Sequence, residues 1–148
     1  MTTQDVKSLN KITKLLIDSK KGYENALEAT GEYAHLQVAM NNRINERGAL
    51  ISAMQLYVRQ HGEEPETDGT VTGSVHRAWT DFTKLFKDDA EAALGAVDDG
   101  EEHLAKQITD ELKNDELTPA ARALLERARV SAVSGEAFAE RTEELLAA

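Results

Sequence analysis

Along most of this chain apolar residues recur at alternating steps of three and four, the spacing that lines one stripe of an α-helix. Leu9, Ile12, Leu16, Ser19, Tyr23 and Ala26 carry such a stripe and predict a first helix over about 4–29. Gly31 offers a stop. The stripe resumes with Tyr33, Leu36, Met40, Arg43, Arg47, Leu50, Met54 and Tyr57, which predicts a second helix reaching about His61. The connection is so tight that the two helices should be antiparallel neighbours.

The periodicity then breaks in "GEEPETDGTVTG", where Gly62, Pro65 and Gly69 punctuate a surface connection. Thr70 or Thr72 caps a new helix whose Val75, Trp79, Phe82 and Phe86 share one face, with Trp79 as a core anchor. Asp88 and Asp89 mark a kink or restart. The stripe continues through Ala90, Leu94, Val97, Glu101, Leu104 and Ile108 to about Asn114, so a glutamate occupies an apolar phase. Thr118 as cap and Pro119 at the first helical position open the last helix, read from Leu124, Ala128, Ser131, Gly135, Phe138, Thr142 and Leu145. Four long helices make the expected class all-α.

With 148 residues the chain suits one domain over 1–148, long enough to fold without disulfide or metal. It holds no Cys, so thiol chemistry and thiolate metal sites are excluded, and a reducing cytoplasmic home is expected. The amino terminus lacks the continuous apolar core of a secretory signal, and the run "GALISAMQLYV" is far short of the ~18 residues of a membrane span. Charge is uneven: residues 1–61 carry 8 Lys/Arg against 6 Asp/Glu, whereas residues 62–148 carry 9 against 21. A net charge of −10 argues against nucleic acid and anionic membranes as partners. It permits a cationic partner or a second copy of the chain docked head to tail.

The succession "GYENA", "INERGALISAMQLYVRQHGEEPETDGTVTGSVHRAWTDF", "DDGEEHLAKQI" and "LTPAARALLERA" resembles a bacterial family of ferritin-like four-helix-bundle proteins of unknown function. The resemblance implies the ferritin-like fold, a short turn between helices one and two, and a crossover loop between helices two and three. It implies no established activity.

Ferritin-like di-iron proteins place one Glu on each of two helices and a Glu-x-x-His pair on each of the other two, all facing inward. Glu24 beside the first stripe and Glu101 on the third stand about where the lone glutamates belong. The levels opposite them, near Ala39 and Ala132, offer no Glu-x-x-His. The one such pair, Glu32 with His35, lies four residues toward the turn, roughly 6 Å at 1.5 Å per residue. On the last helix Glu126 and Glu136 are similarly displaced, and no His is present. Arg43 and Arg47, on the stripe of helix two, supply the competing expectation of a buried carboxylate paired with a guanidinium. His61, His76 and His103 lack the companions of a catalytic or zinc site and read as surface residues.

The sequence therefore predicts a non-enzymatic helical bundle that works through protein contacts, as a homodimer or larger homo-oligomer, with no cofactor. The alternative is an iron or manganese carboxylate protein with metal-binding or oxidase activity, using Glu24, Glu101, Glu32 and His35.

Overall fold

The structure, a computed structural model, describes residues 3–31, 33–69 and 90–147. Four helices account for most of these: α1 (Thr3–Ala29), α2 (Ala34–Gln60), α3 (Ala90–Leu112) and α4 (Pro119–Ala147). No strand occurs among the described residues. The helix bounds fall within two residues of the sequence expectation for α1, α2 and α4. The stretch with Thr70, Thr72, Val75, His76, Trp79, Phe82, Phe86, Asp88 and Asp89 lies outside the described residues, as does Glu32.

Each helix end has a local cause. At the end of α1 the Thr30 amide and hydroxyl both donate to the Ala26 carbonyl, at 3.0 Å each. The Gly62 amide donates to Arg59 at 3.0 Å and the Glu63 amide to Val58 at 3.2 Å, the paired bonds that close a helix through a left-handed residue. Gly62 takes that conformation, φ 79°, which a Cβ would strain. Arg122 reaches back from α4 to the carbonyls of Leu112 (2.7 Å) and Asn114 (2.8 Å), satisfying the end of α3.

Hydrogen bonds between helices set their directions. Gln37 bonds Leu27 and Tyr57 bonds Asp5, so α2 runs antiparallel to α1. Ser8 bonds Glu111 while Ser19 bonds Glu101, so α3 also runs antiparallel to α1. Thr118 bonds Asp5, which sets α4 parallel to α1. Helices α2 and α3 thus point the same way. The chain leaving α2 turns back along α1: Asn10 holds Glu64 and Glu66, Lys14 approaches Glu66 at 3.6 Å, and Gly69 lies against Asp18.

The interior is two apolar clusters stacked along the helices. One gathers Leu9, Ile12, Leu16, Leu50, Met54, Leu104, Ile108 and Leu125 around the end where α1 begins. The other gathers Tyr23, Met40, Leu94, Val97 and Ala139 toward the opposite end. The stripes of α1, α2 and α3 face inward much as the periodicity predicts, with Tyr33 and Tyr57 half-buried. The stripe of α4 is rotated. Its buried face is Ala121, Leu125, Ala128, Ser131, Ala132, Gly135, Ala139 and Thr142, whereas Leu145 is 71% exposed and Leu124 and Phe138 are half-buried.

Candidate functional site

Between the two apolar clusters every helix contributes a polar group to one buried point. On α1, Ser19 and Tyr23 are four residues apart and project from one face, as Ser131 and Gly135 do on α4. From α2 comes Arg47 and from α3 comes Glu101, each with a side chain only 1% exposed. Glu101 Oε1 accepts from Arg47 Nη1 at 2.6 Å and from Ser19 Oγ at 3.0 Å. Its Oε2 accepts from Tyr23 Oη at 2.9 Å and from Arg47 Nη2. That is two donors on each oxygen.

The guanidinium is equally satisfied. Besides the two bonds to Glu101, Nε donates to Ser131 Oγ at 3.1 Å, Nη2 to the Ser131 carbonyl at 3.2 Å, and Nη1 to Ser19 Oγ. All five N–H donors of arginine are therefore used. Tyr23 also offers its ring to Arg47, 5.6 Å from guanidinium carbon to centroid. The Ser131 hydroxyl donates its own hydrogen bond outward to Glu46, which is exposed. This geometry accommodates nothing larger than glycine on the adjoining turn of α4: a Cβ on Gly135 would lie 1.7 Å from Glu101 Oε2 and 2.6 Å from Tyr23 Oη.

The electrostatics favour one protonation state. Burial works against the Arg47 charge, but hydrogen bonding and attraction from Glu101 outweigh it and shift its pKa upward. Burial, joined by the Glu101 charge, raises the Tyr23 pKa far above its ordinary value, despite opposing attraction from Arg47 and Arg43. Tyr23 is thereby held as a neutral donor. A guanidinium locked to a carboxylate, with a neutral phenol beside it, joins groups from all four helices at one buried point.

A second buried carboxylate sits at the end where α1 begins. Asp5, fully buried, accepts from the Thr118 amide at 2.9 Å and hydroxyl at 2.7 Å, and from Tyr57 Oη at 3.3 Å. Thr118 also receives the Ala121 amide at 3.4 Å, the capping role expected of it. Asp5 thus ties the first turn of α1 to the start of α4.

The metal candidates occupy different surroundings. Glu101 is in the core with Arg47, while Glu24 is exposed on α1 and 3.9 Å from Lys20. His35 is exposed at the start of α2, and Glu32 lies outside the described residues. Glu126 pairs with Arg129 at 3.1 Å, and Glu136 stands among acidic neighbours along α3 and α4. Among the described residues, no group of three or more His, Asp or Glu is placed to hold a metal ion. Of the two arginines on the stripe of α2, Arg47 reaches Glu101; Arg43 instead bonds Ser134 and covers the Phe138 ring at 4.8 Å. His61 and His103 are exposed, as expected, and His76 lies outside the described residues.

One protein family, described as a domain of unknown function (DUF2383), matches residues 4–114. The chain belongs to that family. The match takes in α1, α2 and α3, and so Ser19, Tyr23, Arg47 and Glu101, while Ser131 and Gly135 on α4 lie beyond it. No curated protein and no solved structure matches the chain. No helix among the described residues is long and apolar enough to cross a membrane.

Proposed function

We propose that this DUF2383 chain is a non-enzymatic, ferritin-like four-helix bundle, one domain over residues 1–148, that works in the cytoplasm through protein contacts, including contacts between copies of itself. The carrying observation is the saturation of Glu101, the one carboxylate midway along the core among the described residues. Glu101 receives four donors and Arg47 spends all five, so the position where a ferritin-like protein would bind metal is filled by a cation the chain itself supplies. The ferritin-like reading also draws on the shared direction of α2 and α3 and on the turn of residues 62–69 back along α1, which suit a crossover connection. In such a bundle the ion pair fixes helix register, because a slip of one helix leaves a charge buried alone.

Metal analysis of protein made in medium supplemented with iron and manganese tests this reading. The expected result is no stoichiometric metal and a melting temperature unchanged by chelator. A metal bound only by the folded chain would stabilise it by several kcal/mol at high occupancy, so a stoichiometric metal with a large drop in melting temperature on chelation overturns the proposal. The iron or manganese carboxylate protein would then take its place, and Glu101 would have to exchange Arg47 for the metal.

A further inference from the structure

We draw no further inference here: the strongest candidate, the surface patch where Asp98, Glu102, Glu136, Glu140 and Glu143 crowd together along α3 and α4, is a cluster of carboxylates for which nothing in the structure shows a ligand.

Discussion

Glu101 and Asp5 are both carboxylates buried in a helical interior, and the chain accommodates them differently. Glu101 sits midway along the helices, between two apolar clusters, where its donors must come from side chains: a guanidinium, a phenol and a hydroxyl. Asp5 sits where helix α4 starts, and there the backbone itself supplies a donor, the Thr118 amide, alongside two hydroxyls. Helix starts carry unsatisfied N–H groups and a positive end of the helix dipole, so a carboxylate there meets donors that fold formation provides anyway. Mid-helix amides are already engaged with carbonyls a turn away. A buried acid in the middle of a helical core therefore calls for a counter-charge, while one at the end can draw on the ends of helices.

The contrast predicts unequal costs. Glu101→Gln, measured on metal-free protein, should destabilise the fold by up to about 3–5 kcal/mol, because the Arg47 charge is left buried without its partner. Replacing both, Arg47→Met with Glu101→Leu, should recover most of that loss in chemical denaturation, since the paired removal leaves no lone charge. A double variant as unstable as the single one would place the cost in packing instead. Gly135→Ala follows at about 2–3 kcal/mol, as overpacking against Glu101 and Tyr23. At a solvent-facing helical position the same exchange would be favourable.

Asp5→Ala should cost about 1–2 kcal/mol, the range of a lost helix cap. It should also raise hydrogen exchange at the Thr118 amide without changing exchange near Glu101. Equal effects at the two places would erase the distinction between them. Tyr23 gives a smaller but cleaner reading. With its pKa raised in the folded chain, the native state keeps a proton that the unfolded state gives up near pH 10, so stability falls as pH rises beyond that value. In an ultraviolet titration, one of the three tyrosines should ionise only on alkaline unfolding.

The smallest effect belongs to the acidic surface of α3 and α4. Burial, and then the crowding of Glu91, Asp99, Glu102 and Glu140, raises the pKa values of Asp98, Glu136 and Glu143. A carboxyl with a raised folded pKa binds protons more readily in the native state, so its contribution to stability grows as pH falls toward the ordinary carboxylate range and is lost again as pH rises. The melting temperature should thus rise slightly from pH 7 toward pH 5, and by less in high salt, which screens the crowding and not the burial. A rise of the same size in both salts would leave burial as its source and rule out the crowding of charges.

These differences also decide what was legible beforehand. Glu101 announced itself because a glutamate in an apolar phase needs a partner, and Arg47 was visible by the same phase on α2. Ser19, Tyr23, Ser131 and Gly135 were assigned to their stripes, but periodicity gives a side chain's direction and not its neighbour, so their convergence on Glu101 was hidden. Asp5 precedes the first apolar position of α1, and its partner Thr118 is 113 residues away, so no local signal connects them. On α4 the expected stripe holds at Ala128, Ser131, Gly135 and Thr142 and departs at Leu124, Phe138 and Leu145 for a different reason. Its inward face is built largely from alanine, so the larger Leu124, Phe138 and Leu145 pulled the assigned stripe toward the rim.

The placing of the ion pair bears finally on how the chain folds. The α1–α2 and α3–α4 hairpins each bring sequence neighbours together across a short turn, and such contacts form early. Ser19, Tyr23 and Arg47 belong to the first hairpin; Glu101, Ser131 and Gly135 belong to the second. Neither half can dry its charge alone, so both remain hydrated until the hairpins meet, and stripping that water falls late on the route. The barrier to unfolding then resides in the same contact. A variant that replaces the pair with apolar residues should refold faster while gaining little in equilibrium stability, which stopped-flow refolding can resolve.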